Sequence, residues 1–387
     1  MRTREQLIAL CDNILAYAHR RDYSGYNKFD GLESPLTRLL SFNNKWARLF
    51  WSQLVMRSPV NIRPLLGIPE KRNPKGIALF AWALLDLHKA TDDKKYLSQA
   101  KALLKWLNEN QAQGFEYPCW GYAYPWQDTG FYAPARFPNR IVTYFVCRAF
   151  LKAWEVTGEN QYFETVKKSI KFIIEAPRVL FESEDMKCLS YVPSKEINWV
   201  VMDVSALSSV IAAGVAKETQ DPVLMSESRR LINYVVDKQT DYGAWYYSHP
   251  PKDSHIGHDN YHTGYIVDAI KDYMELSGDY SFKEVHNRGL KYYSEKLFTR
   301  DGAPKWMSHK NYPFDIHGSA QGIITFSRYP EYSYLAERIL SWTLKNMYSG
   351  KGYFYYQKRL LYTKRYTLMR WCNAWMARAL SAVILSR

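Results

Sequence analysis

Apolar positions recur along this chain in one repeated set of spacings. Tyr96, Leu97, Ala100, Leu104 and Leu107 form one copy, with offsets of one, four, eight and eleven residues. Those offsets place every member on one stripe of an α-helix. The same set opens again at Tyr162, Leu224, Phe282 and Tyr332, and a further copy opens at Leu7. A helical unit of this length cannot bury its apolar face alone, so neighbouring copies must stack.

A second kind of helix precedes each of the later amphipathic ones. Ser205–Lys217 and Gly318–Phe326 are rich in small residues and almost uncharged, which is typical of helices buried on all sides. Such helices are expected to begin near residues 74, 138, 201, 260, 315 and 367. The N-terminal helix Arg4–Arg20 would close the outer circle against the last inner helix. The sequence therefore predicts an all-α protein: one (α/α)6 toroid domain over residues 1–387, with short β-hairpins at the cavity mouth.

Composition narrows the class of protein further. No stretch approaches the roughly 20 uninterrupted apolar residues of a membrane-spanning helix, and Glu5 and Asp12 within the first helix argue against a signal peptide. Five cysteines without a Cys-x-x-Cys pair favour a reduced, cytoplasmic protein. The net charge of +14 favours a polyanionic partner or reflects a generally basic surface. Nucleic acid is disfavoured because the basic residues are spread over the outer helices.

The loops that lead into the inner helices are unusually aromatic. In a ring of helical hairpins they gather around the mouth of the central cavity, and they include Glu116–Asp128, Gly243–His249, Lys305–His309 and Gly352–Tyr356. Pyranose rings pack their C–H faces on Trp and Tyr, so the set predicts a sugar-binding cleft, although any single aromatic could instead fill a hairpin against the core. The candidate stacking platforms are Trp120, Trp126, Trp245 and Tyr246. The other candidate substrate-binding residues are Glu116, Tyr261, Trp306, Gln321 and Trp371.

Two Asp–His pairs at the mouth are the candidate catalytic groups. Asp259 and Asp315 each stand at the start of an inner helix and are followed by His262 and His317. An Asp–His neighbourhood in a cleft supplies general acid–base chemistry near neutral pH. Helix N-capping by the two aspartates is the competing interpretation. Asp128 is the next catalytic candidate.

Arginines near the mouth point to the charge of the substrate. Arg140, Arg365 and Arg370 can pair bidentately with carboxylates, which suits a uronic acid or another anionic sugar. Arg140 and Arg370 are the candidates for binding that acidic group. Asp203, in the first turn of the third inner helix, is interpreted as structural.

Metal and cofactor chemistry is not indicated. The spacing of His258 and His262 resembles that of a zinc-protease helix, but the Glu of that motif is missing, so no metal is predicted. No phosphate-binding Gly-rich loop occurs, and no Gly-x-Ser-x-Gly turn. The sequence therefore predicts neither a nucleotide cofactor nor a serine nucleophile.

A family resemblance rests on four segments of the rim: Tyr124–Gln127, Asp259–Tyr265, Asp315–Gln321 and Met369–Trp375. With the ring around them, they resemble the six-hairpin toroids encoded among bacterial polysaccharide-biosynthesis genes, over nearly the whole chain. More distantly, the ring is similar to unsaturated glucuronyl hydrolases and to the helical domain of glucuronyl C5-epimerases. Those families imply substrates that contain uronic acid. The full catalytic set of either family is not evident, so the resemblance implies no reaction type.

Three classes of function remain open. The hypothesis favoured by the sequence is a carbohydrate-active enzyme of bacterial surface-polysaccharide metabolism, acting on an anionic, uronate-containing oligo- or polysaccharide. A glycoside hydrolase is favoured over a uronate lyase or C5-epimerase. The second class is a non-catalytic protein that holds a glycan or a lipid-linked sugar, with membrane-associated biosynthetic enzymes as partners. The third is a terpene-cyclase or prenyltransferase toroid, whose Asp-x-Asp-Asp acid or Asp/Cys/His zinc set is not evident here.

Overall fold

Helices dominate the structure, a computed structural model that describes residues 2–387. Within these residues the helices are, in chain order, α1 (Arg4–His19), α2 (Pro35–Leu39), α3 (Lys45–Arg57), α4 (Pro74–Thr91), α5 (Lys94–Glu109), α6 (Arg140–Thr157), α7 (Asn160–Ile174), α8 (Met202–Thr219), α9 (Pro222–Asp237), α10 (Asn260–Ser277), α11 (Lys283–Lys296), α12 (Ile316–Phe326), α13 (Ser333–Met347) and α14 (Trp375–Leu385). A π-helical turn, Met369–Ala374, runs directly into α14. None of the helices in this part of the chain combines the length and apolarity needed to cross a bilayer.

Six of these helices form the inner ring that the sequence predicts. They are α4, α6, α8, α10, α12 and α14, and each packs against the next while α14 packs against α4. Every residue of α8 from Met202 to Ala216 is buried, because its small side chains let neighbours approach from all sides. The outer helices α5, α7, α9, α11 and α13 bury one face, and α1 packs against α14. The predicted (α/α)6 toroid is confirmed.

Short antiparallel strands occur in the loops at the mouth, as the sequence predicts. The pairs are β1 (Trp126–Gln127) with β2 (Tyr132–Ala133), β3 (Val179–Glu182) with β4 (Lys187–Leu189), and β5 (Val200–Val201) with β6 (Ser248–His249). A three-stranded sheet consists of β7 (Phe314–Asp315), β8 (Gln357–Lys358) and β9 (Thr363–Lys364). The pairings β5–β6 and β7–β8 join the loops of neighbouring inner helices, so they fix the spacing of side chains around the mouth.

Residues 20–73 form an insertion that the repeat pattern does not predict. The insertion carries α2 and α3 and is tied to the ring where Arg370 Nε donates a hydrogen bond to Asn27 Oδ1 at 3.2 Å. Within it, the buried Arg63 guanidinium pairs with the buried Asp30 carboxylate, with Nε and Oδ1 2.7 Å apart. α3 contacts both the turn that begins at Asp30 and strand β1. The insertion is therefore fixed against one side of the mouth.

Candidate active site

Three aspartates stand where inner helices begin at the mouth. Asp259 precedes α10, Asp315 precedes α12, and Asp203 is the second residue of α8. All three are buried. The free backbone N–H groups and the dipole make a helix N-terminus positive, so it stabilises a nearby carboxylate. The hydrogen bonds of each aspartate decide which of them is available to a ligand.

The Asp259 side chain forms a hydrogen bond with His262 and does not cap its own helix, α10. Its side chain makes no capping hydrogen bond to α10, and its Oδ2 lies 2.8 Å from His262 Nδ1. With the Nδ1–H donated to the carboxylate, His262 keeps Nε2 as the ring atom that can accept or give a proton. The imidazole side chain is 15% exposed. The pair therefore reaches the surface of the mouth.

Asp203 lies near this pair as a buried carboxyl with one unpartnered oxygen. Strand β5 pairs with β6, and the Met202 N–H donates to the Tyr247 carbonyl at 3.0 Å, so the start of α8 is held against the loop before α10. Asp203 Oδ1 is buried and has no hydrogen-bond partner within residues 2–387. Burial raises the pKa of Asp203, the neighbouring His262 lowers it, and the charge of Asp259 raises it. A carboxyl with a raised pKa near an Asp–His pair suits acid–base catalysis.

Asp315 is placed as a helix cap. Its Oδ1 accepts hydrogen bonds from the His317 backbone N–H at 3.0 Å and from Trp371 Nε1 at 2.7 Å. Its Oδ2 accepts from Gln357 Nε2 at 2.7 Å. Both oxygens are engaged in holding α12, the sixth inner helix and β8 together, so the capping interpretation describes this aspartate.

His317 is enclosed within the ring, unlike His262. Its Nε2 lies 2.7 Å from the Tyr265 hydroxyl, and its ring stacks on Tyr261 with centroids 4.3 Å apart. Burial lowers the pKa of His317 well below its usual range, and the positive charges of Lys75 and Lys28 lower it further. His317 is therefore a neutral imidazole inside an aromatic cluster, and only one of the two predicted Asp–His pairs opens to the mouth.

Aromatic rings surround His262 at the mouth. Tyr247 packs against the His262 ring with centroids 4.6 Å apart, and Trp199 lies 6.3 Å from Tyr247. Across the loops, the hydroxyls of Tyr122 and Tyr191 are 3.3 Å apart. All four of these aromatic side chains are half-buried. They offer both ring faces and hydroxyl groups, which is the combination that sugar binding uses.

Two of the predicted stacking platforms lie in the core. Trp120 and Trp245 are at most 1% exposed, and each indole N–H donates at 2.8 Å to a carbonyl near the end of an outer helix. The acceptors are Leu107 in α5 and Val235 in α9. Neither ring presents a face to the mouth, so stacking on a sugar is not proposed for them.

The remaining predicted residues lie at different depths around the ring. Half-buried are Trp126, Asp128, Tyr246 and Trp306; exposed are Glu116 and Arg365; buried are Arg140, Tyr261, Gln321, Arg370 and Trp371. Trp126 extends the aromatic wall, since its ring is 6.3 Å from that of Tyr191. Tyr246 packs on His258 at 4.1 Å. Gln321 points away from the mouth, with Nε2 donating to Asp268 Oδ2 at 2.7 Å.

Two buried lysines lie behind the mouth. Lys28 Nζ is 3.9 Å from the ring centroid of Trp371, and Lys75 Nζ is 4.0 Å from that of Phe145. Neither forms an ion pair with a carboxylate among the described residues. Burial lowers the pKa of Lys28 to about 8 and the pKa of Lys75 well below its usual range. Cation–π contacts offset only part of the cost of removing an ammonium group from water.

Two of the predicted arginines are buried cations as well. Arg370 donates to Asn27 and, through Nη2, to the Tyr124 hydroxyl at 3.1 Å. Arg140 Nη1 donates to the Leu189 carbonyl at 2.9 Å, while its Nε and Nη2 are buried without a partner. Within residues 2–387 neither guanidinium meets a carboxylate. The interior behind the mouth therefore carries four buried cations without a direct ion-pair partner among the described residues, and the nearest buried carboxylates are Asp203, Asp259 and Asp315.

A cavity of about 710 Å³ lies toward the opposite end of the ring, between the later turns of the inner helices. Its charged side chains pair with one another. Asp272 accepts from Arg148 and from Arg328, both at 2.5 Å, and Arg378 Nη1 lies 2.9 Å from Asp86 Oδ2. These ion pairs neutralise charged side chains in the wall of that cavity.

Three residues of this site were not predicted as functional. Asp203 occupies a helix-start position similar to those of Asp259 and Asp315, and that equivalence was the available signal. Lys75 lies in the apolar inner helix α4, and Lys28 lies in the insertion. Their burial depends on contacts with residues that are distant in sequence. Nothing local distinguishes them from surface lysines.

Comparison with known proteins identifies the fold. Neither a protein-family model nor a curated protein matches the sequence. Among solved structures, cellobiose 2-epimerase from Bacillus thermoamylovorans B4167 is 12% identical, with a TM-score of 0.63 over 83% of this chain and 90% of that one. The α-1,6-mannanase GH76A of Salegentibacter sp. HEL1_6, in an inactive variant bound to α-1,6-mannotriose, is 12% identical, with a TM-score of 0.59 over 82% and 91%. A D-mannose isomerase is 10% identical, with a TM-score of 0.60 over 81% and 87%. These likenesses show that the chain has the (α/α)6 toroid fold.

Proposed function

We propose that this chain is a carbohydrate-active enzyme that works at the mouth of its ring. The observation that carries the proposal is the Asp259–His262 pair, free of helix capping and partly exposed near the buried Asp203 carboxyl. Tyr247 and its aromatic neighbours would receive the pyranose rings. The toroids named above, described as an epimerase, a mannanase and an isomerase of sugars, support this role.

The substrate we propose is an anionic oligo- or polysaccharide that contains a uronic acid. Lys28, Lys75, Arg140 and Arg370 are buried without a carboxylate partner, and a buried charge is costly unless it is paired. An acidic sugar would supply the missing counter-charge. The net charge of +14 would also attract a polyanion from a distance.

The proposed setting is bacterial surface-polysaccharide metabolism, with lipid-linked glycans among the substrates. All five cysteines are free and buried. Free thiols are compatible with a reducing compartment, which supports a place in the cytoplasm. Membrane-associated biosynthetic enzymes would then be partners.

Hydrolysis of a glycosidic bond would use the two carboxyl groups in different protonation states. Asp203, whose pKa is raised by burial, gives its proton to the leaving glycosidic oxygen as the C1–O bond breaks. Water adds its oxygen to C1, and its proton passes to His262, which Asp259 orients and stabilises. The products are two shorter sugars, and proton exchange with water restores Asp203 and His262.

An epimerase or a lyase is the second candidate, and the His262 imidazole favours it. A neutral imidazole oriented by a carboxylate can remove the C5 proton of a uronate. Return of a proton to the opposite face would invert C5. Loss of the oxygen substituent at C4 would instead give an unsaturated uronate.

The experiment that tests the proposal is incubation with a panel of uronate-containing and neutral oligosaccharides. New reducing ends report hydrolysis, ultraviolet absorbance of unsaturated uronates reports elimination, and deuterium uptake at C5 from heavy water reports epimerisation. We expect signal in one channel with an acidic substrate. Silence in all three channels, with binding shown by calorimetry, would replace the enzyme by a glycan-holding protein.

Substitutions of the candidate catalytic residues, with a matched control, test whether turnover takes place at the candidate active site. Asp259→Asn and Asp203→Asn should each lower turnover by about 100-fold or more while the protein stays folded, because acid–base groups contribute about 10²–10⁴-fold. Asp253→Asn changes an exposed aspartate on the same rim and should leave turnover unchanged. Wild-type turnover in both Asp259→Asn and Asp203→Asn would refute the assignment.

A further inference from the structure

The insertion exposes an unusual number of large apolar side chains. Nine of them, each at least 37% exposed, fall between residues 36 and 65: Leu36, Leu39, Leu40, Phe42, Trp46, Phe50, Leu54, Val60 and Leu65. Single exposed apolar residues are common on soluble domains. A contiguous group on one short segment marks a surface that contacts something apolar.

The first seven of these side chains lie on two contacting helices, α2 and α3, and the turn between them, and we call this set the α2–α3 face. Leu36, Leu39 and Leu40 have spacings of three and four residues on α2, and Trp46, Phe50 and Leu54 repeat at four on α3. Such spacings place side chains on one side of a helix. Phe42 projects from the turn between the helices and is 81% exposed. The opposite side of α3 is buried through Ser52 and Val55.

The α2–α3 face is held rigidly in place. A Cβ added to Gly31 would lie 3.0 Å from the Ser52 Cα, so the turn before α2 packs directly on the α3 backbone. The C-terminal end of α3 is tied to the rim sheet, where Lys364 Nζ donates to the Met56 carbonyl at 2.8 Å. The exposed apolar side chains of the α2–α3 face therefore lie on an ordered surface.

The charged side chains around the α2–α3 face are basic. No Asp or Glu occurs between Glu33 and Glu70, a stretch that includes both helices. Arg38, Lys45 and Arg57 are exposed within it. Large apolar and aromatic side chains flanked by Lys and Arg, without acidic residues, are the pattern of helices that lie in the interface of an anionic membrane.

A second apolar projection stands next to this surface. The hairpin that joins β8 to β9 carries Leu360 and Leu361 at its tip, the latter 91% exposed, with Arg359 beside them. The Tyr366 hydroxyl, just past β9, donates to the Ser58 carbonyl at the end of α3. The hairpin and the α2–α3 face thus rise from the same side of the mouth.

We propose that the α2–α3 face docks on the surface of an anionic lipid bilayer, with α2 and α3 lying in the interface and the β8–β9 tip as an additional contact. A second copy of this chain is a poorer occupant, because self-association would bring the same basic side chains together. A bilayer with acidic headgroups complements both the apolar side chains and the flanking charge.

Docking would bring the mouth of the ring close to the membrane surface. α3 contacts β1 in the rim loop, and the Arg48 guanidinium lies 4.2 Å from the ring centroid of Tyr132 in β2. The extension to a glycan carried on a lipid rests on the proposed function. Membrane docking itself does not, since it is measured without turnover.

Vesicle flotation tests the docking directly. The full chain is mixed with vesicles of phosphatidylcholine alone or with phosphatidylglycerol added, at low and high salt. We expect binding to the phosphatidylglycerol vesicles that weakens as salt rises. The triple variant Phe42→Ser, Trp46→Ser, Phe50→Ser should bind about 1,000-fold more weakly, because each large apolar side chain removed from the bilayer weakens partitioning by about tenfold.

A matched triple variant provides the control. Val223→Ser, Tyr280→Ser and Tyr334→Ser remove apolar side chains of similar exposure from elsewhere on the molecule and should leave vesicle binding unchanged. Failure of the wild type to bind phosphatidylglycerol vesicles would overturn the proposal. So would wild-type binding by the Phe42, Trp46 and Phe50 variant. A wild-type dimer in light scattering that this variant converts to a monomer, with no vesicle binding, would assign the face to a second copy.

Discussion

Replacing Lys75 by Met should stabilise the fold while it weakens the binding of an acidic sugar. Lys75 is the second residue of α4 and is buried, with Nζ 4.0 Å from the Phe145 ring centroid and 5.3 Å from that of Trp375. No carboxylate among the described residues pairs with it. Met has a similar length and no charge, so it can occupy the same space without the cost of desolvating an ammonium group.

The size of the effect follows from the cost of an isolated buried charge. Replacing buried charged groups by well-packed apolar side chains stabilises proteins by about 1–4 kcal/mol. At about 2.1 cal/mol/K per residue, the unfolding entropy of 387 residues is roughly 0.8 kcal/mol/K. The melting temperature of Lys75→Met should therefore exceed that of the wild type by about 1–5 °C.

The stability gain should fall as pH rises, because burial lowers the pKa of Lys75 well below its usual range. Between the lowered folded-state pKa and the unfolded-state value of about 10.4, the unfolded chain binds more protons than the folded chain. The wild type gains stability as pH rises through that window, and Lys75→Met lacks this gain. The difference between the two proteins should be largest below the folded-state pKa and smallest near pH of about 10.4.

Scanning calorimetry over a pH series measures both quantities, with Lys168→Met on the exposed face of α7 as the matched control. Titration with a uronate oligosaccharide should show weaker binding to Lys75→Met and unchanged binding to Lys168→Met. A melting temperature that stays the same or falls at neutral pH would refute the reasoning that Lys75 is an uncompensated charge. A stability difference that does not change with pH would refute it as well.

Two further predictions concern the core and the insertion. Trp245→Ala should lower the free energy of unfolding in urea by about 3–5 kcal/mol, because the indole is buried. Trp46→Ala, at an exposed site, should change it by no more than about 0.5 kcal/mol, and equal effects would contradict the placement of Trp245. Arg63→Met should cost about 3–5 kcal/mol by leaving the buried Asp30 unpaired. Adding Asp30→Asn should recover part of that loss, and no recovery would show that the ion pair is not the cause.

The ring could be predicted from sequence because its signal is local and repeated. Small residues in an uncharged helix such as Ser205–Lys217 indicate burial on all sides, and the amphipathic copies indicate one solvated face. Five inner helices accordingly begin at Pro74, Arg140, Met202, Asn260 and Ile316, and the π-helical turn that leads into the sixth begins at Met369, all within about two residues of the expected positions. The insertion carries no repeat, and its organisation uses contacts between residues distant in sequence, such as the buried pair of Arg63 and Asp30.

The site was harder to predict because its chemistry depends on distant partners. Asp259 and Asp315 look alike in sequence, and only the Trp371 and Gln357 side chains of another loop make Asp315 a fully engaged cap. A loop tryptophan can likewise turn toward the cleft or toward the core. Trp245 turns inward because its N–H donates to a carbonyl near the end of the preceding outer helix, and Trp120 does the same.

We expect an acidic sugar to bind at the mouth, beside His262. The most direct measurement is a crystal structure of the Asp203→Asn variant with a uronate oligosaccharide that calorimetry shows to bind. We predict sugar rings against Tyr247 and Tyr122, with a hydroxyl within hydrogen-bond distance of His262 Nε2. A sugar bound instead in the cavity at the opposite end, among Arg148 and Arg328, would contradict the account.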